Sequence, residues 1–201
     1  MKAPSLLKRV MRFALWTSTE TMIGYAVAGH YKEAHKAGTD FLSSLCGAKA
    51  NEADVVISTN GGYPLDQNVY QAVKGMTAAE ATVKKGGVII MLAKSNDGIG
   101  GDHFYHQLAD ESDINKTMNI FLKRGRNETV PDQWQTQILL RVLMHATVIY
   151  ISEMDDSVVE KMHMIPAHSI DEALNKARGI LNKTDLKIVA IPDGVSVIVQ
   201  K

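Results

Sequence analysis

Gln67, Gln71 and Lys74 follow a glycine turn at positions i, i+4 and i+7, with Tyr70 beside them. On a helix those positions share one face. An ammonium and an amide held at fixed height there could bind a small carboxylate through charge-assisted hydrogen bonds. The same stripe is also what an ordinary solvated helix face looks like, and pattern alone favours that plainer reading. Trp134 falls in the first turn of another expected helix, where a large ring either packs or lines a cleft.

Other residues offer less. Gly98-Ile-Gly-Gly101 opens a helix as a phosphate cradle would, but it lacks the Gly-x-Gly-x-x-Gly spacing and a Walker lysine. A tight strand-to-helix turn explains it as well. Asp102, His103 and His106 fall short of the three or four ligands a metal needs, and His30 and His35 form no zinc signature. No Gly-x-Ser-x-Gly elbow or Ser-His-Asp set is present. The chain carries binding groups and turns, without a complete catalytic apparatus.

The elements that must position these groups are legible. Val55-Val-Ile57 is a buried strand. Asn60-Gly-Gly62 turns the chain, Pro64 stiffens the exit, and Asp66 is the expected N-cap of a helix running through Lys74. Gly75 is expected to interrupt that helix, Thr77-Ala-Ala-Glu80 to restart it as a capping box, and Gly86-Gly87 to end it. Strands are expected at Met22–Ala28, Val88–Ala93, Thr147–Ile151 and Lys187–Ile191. Helices are expected over Lys32–Leu45, after Asp102, over Ile114–Leu122, over Asp132–His145 with Pro131 in the first turn, and after the capping box Ser169–Glu172. Asp193-Gly194 is read as the turn of a C-terminal β-hairpin running into Val195–Val199. Alternating strands and helices predict an α/β fold, a mostly parallel sheet flanked by helices in a Rossmann-like three-layer arrangement.

Lys plus Arg and Asp plus Glu each number 22, so net charge gives no case for nucleic acid or an anionic membrane. The single cysteine, Cys46, excludes an internal disulfide, reads as a packed thiol and suits a reducing compartment. Met1–Trp16 is basic with broken apolar runs, unlike a signal peptide. No stretch reaches the roughly 18 uncharged apolar residues of a membrane span. A cytoplasmic location is the default.

Asn60-Gly-Gly-Tyr-Pro-Leu-Asp-Gln-Asn-Val-Tyr-Gln-Ala-Val-Lys-Gly-Met76, with Ala78-Ala-Glu-Ala81 and Gly86-Gly-Val-Ile-Ile90, resembles the carboxy-terminal half of the nickel-pincer lactate racemase family. Gly29–Gly38 and Ile191-Pro-Asp-Gly-Val195 fit the same pattern. The likeness covers roughly residues 20–201 and leaves 1–19 unassigned, a linker remnant or foreign segment. It implies a cleft-closing, substrate-side domain of a 2-hydroxy-acid racemase or epimerase. In that family a nickel-pincer nucleotide accepts hydride, and the cofactor-linked lysine, the nickel-binding histidine and the acid/base histidines belong to an amino-terminal domain absent here. The resemblance places Tyr70, Gln71, Lys74 and Trp134 at substrate-side positions. It implies that this chain alone binds no cofactor and turns nothing over. The glycine loop at Asp97–Asp102 departs from the family pattern, which leaves His103 without a role. A stand-alone small-anion or nucleotide-binding α/β module, or a structural domain without ligand, are the alternatives.

Overall fold

The structure, a computed structural model, describes residues 13–17 and 20–200. Most of the segment 1–19 therefore lies outside the described residues. Two units divide the chain, residues 1–48 and 49–201. In the first, β1 (Phe13–Thr17) pairs antiparallel with β2 (Glu20–Val27), and α1 (Tyr31–Cys46) follows. Ala34 and Gly38 form the buried stripe of α1, and Phe41 meets the Tyr25 ring at 4.4 Å between centroids. A short strand, β3 (Gly47–Lys49), crosses the boundary.

The second unit alternates strands and helices as expected. β4 (Ala53–Thr59), α2 (Val69–Thr82), β5 (Val83–Leu92), α3 (Asp102–Ala109), α4 (Ile114–Lys123), α5 (Gln133–His145) and β6 (Thr147–Ile151) come first. Then come α6 (Asp156–Lys161), β7 (Ile165–Ala167), α7 (Ile170–Leu181), β8 (Ile188–Ile191) and β9 (Ile198–Gln200). The main sheet runs β7-β6-β5-β4-β8 with every pairing parallel.

Strand alternation sorts the core into two layers. Val56, Ile89, Val148, Met91 and Tyr150 pack with Val73, Met76, Phe104 and Leu139 from α2, α3 and α5. Val55, Val88, Ile90 and Ile149 point the other way, where Ala173 and Ala177 let α7 lie close. The central strands are thus covered on both faces, which is why they read as continuous apolar runs.

Several boundaries differ from expectation. The N-cap of α2 is Asn68, whose side chain accepts from Gln71 N, while the Asp66 and Gln67 carbonyls accept from Ser95 N and Asp97 N. Gln67 therefore precedes the helix and leaves the predicted face. Gly75 does not interrupt α2, which continues unbroken to Thr82, and Gly86 and Gly87 lie inside β5. Pro131 stands outside α5, before its N-cap Asp132. Pattern reading did not anticipate the short elements α6 and β7.

The predicted C-terminal hairpin is absent. β8 pairs with β4 and not with β9, and Asp193 makes an isolated bridge with Asn60. Asp193 Oδ1 accepts from Val195 N and Ser196 N, so the Asp-Gly pair forms a local turn without joining two strands. Gly194 is needed for close approach: a Cβ there would fall 2.6 Å from Ser58 Oγ and 2.8 Å from the Gly75 carbonyl.

Candidate functional site

At the start of α2, the helix amides are already occupied. Val69 N donates to Gly98 O at 3.1 Å, Tyr70 N to Ile99 O at 3.0 Å, and Gln71 N to Asn68 Oδ1 at 3.0 Å. The 98–101 loop thus presents two carbonyls to this helix, so the start of α2 has no free amides to offer an anion. Gly100 lies against Asn68 and Tyr70, where a Cβ would come within 2.7 and 2.9 Å of their side chains.

Asn60, 1% exposed, holds the helix from below. Its Nδ2 donates to Leu65 O at 2.6 Å and Gln71 O at 2.7 Å, and its Oδ1 accepts from Gly75 N at 3.0 Å. The amide therefore bridges a carbonyl and an N–H four residues apart, a pair that a helix ordinarily joins directly. Ser58 Oγ donates to the Gly75 carbonyl at 2.9 Å. These bonds set the rotation of α2 over the end of β4.

On the outer face, Lys74 Nζ donates to Gln71 Oε1 at 2.6 Å. With its oxygen engaged, the Gln71 NH2 makes no hydrogen bond among the described contacts. The pair therefore offers several donors, two remaining ammonium hydrogens and an amide NH2. Lys74 has no salt bridge among the described residues, and it is exposed beside the half-buried Gln71. Such a pair suits a carboxylate.

Tyr70 turns towards α5. Its ring meets Phe104 at 5.4 Å and Trp134 at 6.0 Å, both edge-on. The hydroxyl donates to Asp132 Oδ1 at 3.3 Å, and the Tyr70 carbonyl accepts from Gln135 Nε2 at 2.5 Å. Burial raises the Tyr70 pKa, and the Asp132 charge and hydrogen bond raise it further. Trp134 is 56% exposed, much for a tryptophan.

The structure thus joins Tyr70 to Trp134 and Gln71 to Lys74, and the two pairs are linked through the 70–71 backbone. In the sequence Asn60 reads as a turn residue and Asp132 as a helix start, and Gln135 goes unnoticed; the Asp132 and Gln135 contacts to Tyr70 span more than sixty residues. A cavity of about 470 Å³ opens at the carboxyl ends of β4, β5 and β6, lined in part by Thr59, Asp66, Lys94, Glu153 and His168. None of the four predicted site residues lines it. Lys94 stands 3.8 Å from Glu153, and His168 lies 3.2 Å from Asp156. Among the described residues no three His, Cys, Asp or Glu side chains converge as a metal site, and His106 pairs with Asp110 at 3.2 Å. These residues therefore do not fit a nickel centre.

The sequence model of the lactate racemase C-terminal domain matches residues 48–199. The chain belongs to the lactate racemase C-terminal domain family. It is 50% identical over 177 residues to a lactate racemase of Thermoanaerobacterium thermosaccharolyticum, covering 88% of this chain and 41% of that protein. A lactate racemase of Lactiplantibacillus plantarum is 49% identical over 174 residues, with 86% and 41% covered. The chain thus spans about two fifths of the length of the curated relatives it matches. In three dimensions it is similar to the lactate racemase apoprotein of T. thermosaccharolyticum, with a TM-score of 0.84 at 49% identity, covering 90% of this chain and 43% of that one. A Thermotoga maritima protein, 13% identical with a TM-score of 0.51, shares the fold alone, over 85% of this chain and 43% of its own. The lactate racemase C-terminal domain is accordingly an α/β unit with a five-stranded parallel sheet, and α2 and α5 bring its candidate side chains together.

Proposed function

We propose that this chain is the substrate-side, cleft-closing part of a nickel-pincer-dependent lactate, or 2-hydroxy-acid, racemase. The observation that carries this reading is the Lys74–Gln71 pair, which occupies the amide oxygen with the ammonium and leaves ammonium and amide hydrogens to donate. Lys74 neutralises the substrate carboxylate, the Gln71 NH2 donates to the same group or the adjacent hydroxyl, and the Tyr70 and Trp134 rings wall the site and exclude water. The chain's described residues supply no nickel donor set. The nickel-pincer nucleotide and the acid/base groups are therefore assigned to the amino-terminal partner domain of the complete family protein, and the roles given to this chain are binding and closure. The lone cysteine suits the cytoplasm.

Occupied amides at the start of α2 argue against an anion held by the first glycine loop, because the backbone donors such a site uses there are taken. Titrating the 15N-labelled chain with D- and L-lactate tests the proposal. Shifts concentrated at Gln71 and Lys74 support it, and equal indifference to lactate, acetate and inorganic phosphate would overturn it.

A further inference from the structure

Asp132 occupies the N-cap of α5 but does not cap in the usual way. Aspartates at that position ordinarily accept from an amide of their own first turn. Here φ is 59° and ψ 5°, the left-handed region, and the side chain makes no cap hydrogen bond. Its backbone carbonyl takes over, accepting from Gln135 N at 3.0 Å, Thr136 N at 3.1 Å and Thr136 Oγ1 at 3.3 Å. That frees the carboxylate, whose Oδ1 receives the Tyr70 hydroxyl at 3.3 Å. On the other side its Oδ2 lies 3.4 Å from where a Cβ on Gly101 would stand, so the glycine loop closes over it.

We propose that Asp132 is a positioning residue of the 2-hydroxy-acid site: together with Gln135 it grips Tyr70 at both ends, holding the ring against Trp134 and fixing the neighbouring Gln71. Gln135, 1% exposed, takes the Tyr70 carbonyl, and Trp134 from the same turn meets the ring edge. One turn of α5 therefore secures the hydroxyl, the carbonyl and the ring of a single residue. Gln71 is the next residue on α2, so its direction follows from that hold. The unfavourable backbone of Asp132 is what aims its carboxylate at the phenol. This inference rests on the carboxylate reading of Gln71 and Lys74 given above.

The test uses the full chain with three variants. Asp132→Gly tolerates the left-handed backbone and deletes the acceptor, Asp132→Asn keeps both, and Tyr70→Phe removes the donor. One readout is the Trp134 indole N–H resonance, one of two tryptophan signals in the chain. The other is lactate affinity, with the thermal midpoint as a control. Asp132→Gly and Tyr70→Phe should each move the Trp134 signal and weaken lactate binding about threefold or more, and the double variant should be no worse than either alone. Asp132→Asn should restore both. A fixed Trp134 signal in Asp132→Gly, additive losses in the double variant, or a fall in thermal midpoint with affinity unchanged would each overturn the proposal. If Lys74→Ala binds lactate as the parent does, the carboxylate reading falls on its own account. The Trp134 signal and the double variant still decide the hold on Tyr70.

Discussion

At the scale of single residues, the site is a division of labour along α2. Tyr70 faces inward to α5, whereas Lys74 faces outward and engages only Gln71 Oε1 among the described contacts. Lys74 is exposed, so Lys74→Ala should leave the melting temperature within error. It should weaken lactate binding about tenfold or more, the scale of losing a charge-assisted bond. Isothermal titration checks both halves. Gln71→Glu is nearly isosteric, yet it replaces the NH2 with a carboxylate oxygen and gives Lys74 an anionic internal partner. Lactate affinity should fall below detection, and retained affinity would contradict the assigned amide orientation. Tyr70, Gln71 and Lys74 were nameable from the sequence through the long Asn60–Met76 resemblance, and Trp134 through the family's tryptophan further along. Spacing by itself also admitted Gln67, which the fold removes by tying its carbonyl to Asp97.

At the scale of elements, α2 is held by features that no short window of sequence could reveal. Asn60 reads as a turn residue, but its amide makes three hydrogen bonds, buried or part-buried, to the loop and helix beyond it. Asn60→Ala should cost about 3 kcal/mol, because buried backbone groups lose their partners, and urea unfolding measures it. Gly75 reads as a helix breaker, yet its missing side chain lets α2 settle on β4: a Cβ would stand 2.8 Å from Thr59 O and 2.9 Å from Met91 Cε. Alanine gains about 1 kcal/mol of helix propensity over glycine, against about 1–3 kcal/mol for overpacking. Overpacking wins, so Gly75→Ala should lower the urea midpoint. What local chemistry alone decides was readable in advance: the apolar run of β4, and the Ser169 cap, whose Oγ accepts from Glu172 N. What depends on a partner more than a hundred residues away was not, as with Gly194 against Ser58 and Gly75.

At the scale of the whole molecule, the amino ends of the central strands are tied by one carboxylate. Asp54 accepts from Lys183 Nζ at 2.6 Å, Lys84 Nζ at 2.8 Å and Lys187 N at 2.9 Å, joining β4, β5 and the approaches to β8. The Lys183 bond, then those of Lys84 and Lys187, hold its carboxyl well below the usual carboxylate range. A carboxyl with a depressed folded pKa contributes stability above its unfolded value, about 3.9, and loses it as pH falls through the folded one. Asp54→Asn should therefore be less stable than the parent at pH 7 by urea unfolding, and the gap should narrow steadily below about pH 4. A gap constant with pH would contradict this account. Catalytically, the chain alone should leave L-lactate unracemised by chiral chromatography, and a separately expressed amino-terminal half of a relative, loaded with its cofactor, should restore turnover. The sealed start of α2 bears on how such a domain diversifies. Because its main-chain donors are committed to architecture, the acid preference proposed above would rest on a handful of interchangeable side groups, which descent could retune one codon at a time without redrawing the scaffold.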